Sequence, residues 1–284
     1  MTLCRIRAVD QPANAPAHWA WLAREAALLL PDEAIHSMCR GETEGGLAGI
    51  RMLPAESTLH RDQYLLQPPT AWDQQIWAAG VTWESSRHAR MAESPESADC
   101  YSRVYLADRP EIFYKSRASA AVGPGGAVRV RADSRWSVPE PEVAVLADAN
   151  GVILGVGLAN DMSARDIEGE NPLYLPQAKV YRGACALGPA WVAYNPETFT
   201  SLTIHVSVMR RRECVWRDKT SVGQMKRRPE ELVDWLFREN AWPDGVVLLT
   251  GTGLTPPKEF ALEPGDDITI WARGLGVLRN RVEG

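Results

Sequence analysis

Two apolar runs, Val143 to Leu146 and Val152 to Leu158, are joined by Asp148-Ala149-Asn150-Gly151. Asn-Gly is the strongest short hairpin signal, because a type I′ turn needs positive φ at both central positions. A hairpin read this way dictates which side chains share a face. With Asn150 and Gly151 as the turn residues, the numbers of paired positions add to 301. Glu140 then falls opposite Asp161, and Glu142 opposite Ala159. Side chains alternate across a strand, so Glu140, Glu142 and Asp161 are expected on one face. Gly155, Gly157 and Ala159 share that face and are expected to leave room for a ligand. Val143, Val145, Leu154, Val156 and Leu158 form the opposite, core-directed face. A bulge at Gly155 or Gly157 would shift the register by one.

Directly opposite Cβ atoms lie about 5 Å apart, and three carboxylates that close repel one another unless a cation or protons intervene. An all-carboxylate set selects a hard cation, so Mg²⁺, Mn²⁺ or Ca²⁺ rather than Zn²⁺. The alternative is three solvated carboxylates at a strand end.

The rest of the chain supplies partner layers for such a hairpin. Val128 to Arg131 and Leu202 to Met209 alternate, and Asp267 to Ala272 reads as a late strand. One helix opens at Pro229, with Glu230 and Glu231 in its first turn and an apolar stripe of Leu232, Val233, Leu236 and Phe237. Ala20 to Leu30 reads either as a helix or as a buried strand pair. The pattern is α+β and β-rich rather than a βαβα repeat. Pro68-Pro69 marks a boundary, since a double proline continues neither a helix nor a central strand. Residues 1–69 are expected to form a small N-terminal domain and residues 70–284 a larger one.

Composition narrows the function classes. A net charge of −5 and a pI near 5.6 leave no nucleic-acid footprint. No apolar run approaches the ~18 residues of a membrane span. No apolar segment follows the arginines of Met1 to Val9, so no signal peptide is read there. Five scattered cysteines without a CxxC pair suggest a reduced, cytoplasmic protein without zinc.

The chain has five lysines against 26 arginines. A lysine retained at position 179 hints at lysine chemistry, because a desolvated lysine can serve as a base and arginine cannot. The bland reading is a solvated loop lysine. The histidines show no metal-ligand spacing. Arg210-Arg211-Arg212 and Lys226-Arg227-Arg228 read as solvated basic runs. Thr250-Gly251-Thr252-Gly253 follows an apolar run and could offer backbone N–H groups and a hydroxyl to an anion.

Taken in order, Glu140-Pro141-Glu142, Asn160-Asp161-Met162-Ser163-Ala164-Arg165-Asp166, Lys179, Leu187-Gly188-Pro189 and Thr250-Gly251-Thr252 resemble the signature of the fumarylacetoacetate hydrolase family. The likeness runs from about residue 80 to the C-terminus. Arg109 to Phe113, Trp136 to Glu142 and Glu170 to Gln177 carry it into the family's sugar-acid dehydratase branch. The resemblance implies a mixed β-sandwich roll behind a small N-terminal domain, in a homodimer or homotetramer. It implies Mg²⁺ on Glu140, Glu142 and Asp161, with Lys179 beside the metal. It places Arg165 and Thr252 near the substrate's oxygens, makes Glu111 an acidic catalytic partner, and puts Lys115 at the pocket wall.

One departure matters. Where the family's C–C hydrolases resemble Asn-Tyr-x-x-His, this chain has Gly80-Val81-Thr82-Trp83-Glu84-Ser85-Ser86, with Ser86 in the histidine's place. His88 would share that face if the stretch were extended. Hydrolysis needs an activated water, and its usual base is missing. The resemblance therefore implies dehydration of a 2-keto-3-deoxy pentonate to 2,5-dioxopentanoate. Acylpyruvate-type C–C hydrolysis and 2-oxoacid decarboxylation are the alternatives. A non-catalytic sugar-acid binder is a third reading, and an intact lysine beside three carboxylates argues against it.

Overall fold

The computed structural model describes residues 2–23, 26–71, 74–93 and 98–284. The N-terminal part supplies strands β1 (Thr2–Ala8), β2 (His18–Leu22), β3 (Ala26–Leu29), β4 (Ser57–His60) and β5 (Tyr64–Gln67), with helices α1 (Asp32–Cys39) and α2 (Gly46–Ile50). Ala20 to Leu30 thus falls in a strand pair, β2 and β3, in which Trp19 and Trp21 of β2 are buried. The remainder begins with β6 (Gln75–Gly80), helices α3 (Glu84–Glu93) and α4 (Ala98–Leu106), β7 (Glu111–Arg117), β8 (Ala127–Arg129) and β9 (Ser137–Val138). Then follow β10 (Pro141–Ala147), β11 (Ile153–Asp161), β12 (Ser163–Ala164), α5 (Arg165–Glu170), α6 (Leu175–Lys179) and β13 (Cys185–Ala193). The chain closes with α7 (Pro196–Thr200), β14 (Thr203–Arg210), β15 (Glu213–Ser221), α8 (Pro229–Phe237), β16 (Val246–Leu249), β17 (Asp267–Ala272) and β18 (Gly276–Glu283).

Eleven strands form one sheet in the order β4-β3-β2-β1-β13-β11-β10-β16-β6-β7, with β5 also on β1, and a second sheet runs β15-β14-β17-β18-β8. The two sheets pack face to face. Val143, Val145, Val156 and Leu158 of the hairpin meet Ile204, Val206, Val208, Ile268 and Ile270 of the second sheet and Leu232 and Leu236 of α8. The opposite face of the hairpin packs against α1, α2 and Trp191. This is the expected β-rich sandwich. The N-terminal strands continue the long sheet through the β1–β13 pairing. Pro69, Thr70 and Ala71 are buried, and Trp191 donates its indole N–H to the Pro69 carbonyl. Among the described residues no helix is long and apolar enough to cross a membrane.

The hairpin register beside the carboxylates is the expected one, but by a different route. The turn is a three-residue loop, Ala149 to Gly151, in which only Gly151 has positive φ, at 80°. Asp148 Oδ1 accepts from the N–H groups of Asn150 and Val152, both at 2.9 Å, which favours this loop over a two-residue turn. The extra residue would shift the pairing by one. A bulge at Leu154, between the Leu146–Gly155 and Ala147–Ile153 pairs, shifts it back. Glu142 therefore faces Ala159, and the Asp161 N–H donates to the Glu140 carbonyl at 3.0 Å. The bulge also turns Leu154 to the side of Leu47 and Trp191, against expectation. Nor do Gly155 and Gly157 leave ligand space. A Cβ on Gly157 would lie 3.0 Å from the Trp191 ring, and one on Gly155 would lie 2.8 Å from Leu47. The glycines admit core side chains instead.

Candidate active site

At the open end of the hairpin, one ligand atom from each of Glu140, Glu142 and Asp161 lies within 4.8 Å of the others, and all three residues are buried. Glu142 is on β10, Asp161 ends β11, and Glu140 immediately precedes β10. The strand geometry alone aligns them. Lys179, the last residue of α6, reaches in with its Nζ 2.7 Å from Glu140 Oε2 and 3.2 Å from Asp161 Oδ2. Asn171 positions that segment, accepting the Leu173 N–H at 2.9 Å and opening the turn that leads into α6.

Glu111, Ser86, Thr252 and Phe113 line the same cavity with the carboxylates and Lys179. Glu111 is register partner to Gly80, and its carboxyl lies across that glycine: a Cβ there would meet Glu111 Oε2 at 2.1 Å. The Glu142 Oε2 accepts the Gly251 N–H at 2.6 Å, so the Gly-Thr-Gly turn does serve an anion, a carboxylate of the chain itself. Thr252 lines the cavity while its hydroxyl donates to the Pro141 carbonyl at 2.8 Å. Arg165 stands behind Glu140, Nε and Nη2 lying 3.2 and 3.1 Å from Oε1. Lys115 is placed behind Asp161 rather than among the cavity-lining residues. Its ammonium pairs with Asp161 Oδ1 and donates to the carbonyls of Met162 and Lys179 at 2.9 and 2.5 Å.

The stretch around Ser86 is helical rather than extended. Ser86 and Arg90 sit one turn apart on the buried face of α3. His88, two residues from Ser86, is exposed and does not line the cavity. Two site residues escaped the sequence reading. Arg90 lies 2.8 Å from Glu140 Oε1 and 2.9 Å from Glu168 Oε2, and Glu168 also accepts from Ser163 at 3.0 Å. Glu168 stands two residues beyond the Asn160 to Asp166 signature, so extending that signature along α5 would have found it. Arg90 had no distinguishing signal among 26 arginines.

The electrostatics sort the acids. Burial opposes charge on Glu140, but Lys179, Arg90 and Arg165 outweigh it and hold the carboxyl below its ordinary range. Glu168 is likewise held down against burial by Arg90 and Lys179. Glu142 is pushed well above the ordinary range by burial and by the charges of Asp161 and Glu140. Burial, with the Glu168 charge beside it, pushes Glu111 up to about 7. For Lys179, burial favours the neutral amine, but Asp161, Glu140 and Glu168 together raise it. Burial and the neighbouring carboxylates thus disfavour charge on Glu142, and further positive charge would relieve this. That is the condition a hard divalent cation satisfies, and the oxygen-only donor set fits one.

This fold and this carboxylate–lysine site define a known class. Residues 85–283 match the family model described as fumarylacetoacetate (FAA) hydrolase C-terminal, and the chain belongs to the fumarylacetoacetate hydrolase family. A Haloferax volcanii protein named "Probable 2-keto-3-deoxyxylonate dehydratase" is 45% identical over 210 residues, 74% of this chain and 72% of that protein. The 2-dehydro-3-deoxy-D-arabinonate dehydratase of Saccharolobus solfataricus is 39% identical over 208 residues, 72% of this chain and 70% of its own. A solved structure of 2-keto-3-deoxy-D-arabinonate dehydratase with magnesium and 2,5-dioxopentanoate superposes with a TM-score of 0.79 at 30% identity, covering 100% of this chain and 99% of that one.

Proposed function

We propose that this protein is a divalent-cation-dependent hydro-lyase. It removes water from a 2-keto-3-deoxy pentonate, such as 2-keto-3-deoxy-D-arabinonate, to give 2,5-dioxopentanoate. The observation that carries this reading is the cavity's composition: three clustered carboxylates, Lys179 and a half-buried Glu111, with no histidine lining it among the described residues. The dehydratase names of the relatives support the substrate class.

Glu140, Glu142 and Asp161 would hold the cation, Mg²⁺ in this reading. When bound, it supplies Lewis-acid polarisation of a 2-keto acid. With a cation on the carboxylates, their upward pull on Lys179 would weaken, leaving burial to favour its neutral amine. Lys179 takes a proton from C3. Glu111, whose burial pushes its carboxyl up to about 7 and so keeps a protonated fraction near neutral pH, donates a proton to the departing C4 hydroxyl. Tautomerisation involving C5 completes the product. Arg90 and Arg165 hold Glu140 in place. Ser86 and Thr252 line the cavity wall, and Lys115 supports Asp161 and the Lys179 backbone from behind. We place the enzyme in the cytoplasm as a homodimer or homotetramer whose ligand is a small 2-keto acid rather than nucleic acid or membrane.

Hydrolysis of acylpyruvates is the second reading. It needs a water-activating base where Ser86 stands, and His88 is exposed and outside the cavity lining. A product assay with Mg²⁺ on a panel of 2-keto-3-deoxy acids, acylpyruvates and 2-oxoacids decides between them. Release of 2,5-dioxopentanoate from a pentonate is expected. Faster release of pyruvate from acylpyruvates, or of CO₂ from a 2-oxoacid, would overturn the proposal.

A further inference from the structure

Lys226-Arg227-Arg228 reads as a solvated basic run, yet the Arg227 side chain is only 4% exposed. Its guanidinium donates to the carbonyls of Val104, Ala107 and Asp108 at 3.3, 2.6 and 2.9 Å, and Nη1 lies 2.5 Å from Glu231 Oε1. The last carbonyls of a helix have no intrahelical partner, and positive charge is favoured at that end. Arg227 therefore caps the C-terminal end of α4 and the first residues beyond it.

The neighbouring contacts tie the same unit down. The Lys226 backbone N–H donates to the Thr82 carbonyl at 2.9 Å, just before α3. The Lys226 ammonium and the Arg87 guanidinium lie 4.4 and 4.8 Å from the Tyr105 ring. The Arg109 guanidinium lies 4.5 Å from the Trp235 ring of α8. Two consecutive residues thus hold the start of α3 and the end of α4. What they hold reaches the site at two points. Arg90 extends from α3 to Glu140 and Glu168, and Glu111 stands three residues beyond Asp108.

We propose that Arg227 is a positioning residue that anchors the α3–α4 pair and the start of β7, so that Arg90 and Glu111 meet the carboxylate site. The proposal rests on the dehydratase reading for its kinetic consequence. A guanidinium suits the task because its planar fork of five donors can serve three carbonyls and a carboxylate together; a lysine ammonium has three donors. The hairpin that carries Glu142 and Asp161 makes none of these contacts.

Arg227→Ala in the full-length protein, with Mg²⁺ present, tests this by hydrogen exchange and kinetics. Exchange should quicken in 82–93 and 98–111 while β10 and β11 keep their protection. The kcat for dehydration should fall about 10²-fold, the scale of a small misplacement of catalytic groups. Guanidinium ion added at millimolar concentration should restore part of it, and Arg227→Lys should restore less than wild-type activity. Where Arg227→Ala does not fold, Glu231→Gln should loosen the same two segments to a smaller degree. Unchanged exchange in those segments, or protection lost equally from β10 and β11, overturns the proposal. The exchange measurement needs no substrate, so it decides the anchoring even where the dehydratase reading fails.

Discussion

The Lys179 ammonium lies 2.7 Å from Glu140 Oε2, in a site where Glu140 also takes Arg90 and Arg165 on its other oxygen. The proposed base and a proposed metal-holding carboxylate are thus in direct contact. Lys179→Met keeps the length and apolar bulk and removes the amine. It should lower kcat by at least about 10²-fold while calorimetry still detects Mg²⁺ binding. Wild-type enzyme in deuterated water should place deuterium at the carbon next to the keto group. Normal turnover by the variant would remove Lys179 from the role of base.

Chelation tests the carboxylate cluster. EDTA should abolish turnover, and Mg²⁺ or Mn²⁺ should restore it. Glu142→Gln should weaken Mg²⁺ binding in a direct titration, because a neutral amide replaces a charged ligand. Full activity in the metal-free protein would contradict the assignment.

Glu111 gives a pH signature. Its carboxyl is pushed up to about 7, so a proton-donating role is available below that pH and lost above it. The kcat profile should fall as pH rises through about 7, and Glu111→Gln should lose both the activity and that limb. Stability carries the same sign. The native state binds this proton more tightly than the unfolded chain, so the contribution is complete below the unfolded carboxyl's range and disappears as pH rises through about 7.

Gly80→Ala should separate folding from activity. The added Cβ would sit 2.1 Å from Glu111 Oε2, and Glu111 is a flexible side chain that can move aside. The melting temperature should change little while kcat drops. An unchanged kcat would mean that Glu111 acts, if at all, from another position.

Trp191 joins the two parts of the chain. It is 1% exposed, packs against Gly157, pairs in register with Leu3 and donates to the Pro69 carbonyl. Trp191→Ala should cost about 3–5 kcal/mol of stability, as loss of a fully buried tryptophan usually does, measured by denaturant unfolding. We propose that residues 1–69 form a small N-terminal unit docked through this contact. A cost below about 1 kcal/mol, the scale of an ordinary surface substitution, would argue against Trp191 as the joint.

The carboxylate triad was legible because it depends on a period of two and a local hairpin. Even there the route differed: the loop has one more residue than Asn-Gly predicts, and the bulge at Leu154 compensates. Local pattern placed Glu140, Glu142 and Asp161 together because a strand pair needs only register to do so. It also set the alternation of β14 and the amphipathic α8, where each residue's burial follows from its neighbours in sequence. Distant contacts followed no such period. The glycines beside the triad look like ligand space until Trp191, more than thirty residues away, fills it. Arg227 looks like one member of a solvated run until α4 presents its unpaired carbonyls. Arg90 and Glu168 enter the site only when α3 and α5 pack over the strand ends, and their charges then act on Glu140 and Glu111. The sequence by itself determined the β-rich class and the triad, since these rest on short-range periodicity, while Lys179 beside them was implied by the family resemblance. Tertiary structure alone decided the supporting charges, the upward shift of the Glu111 carboxyl and the clasp on α4, since burial and Coulomb energy depend on distances in space.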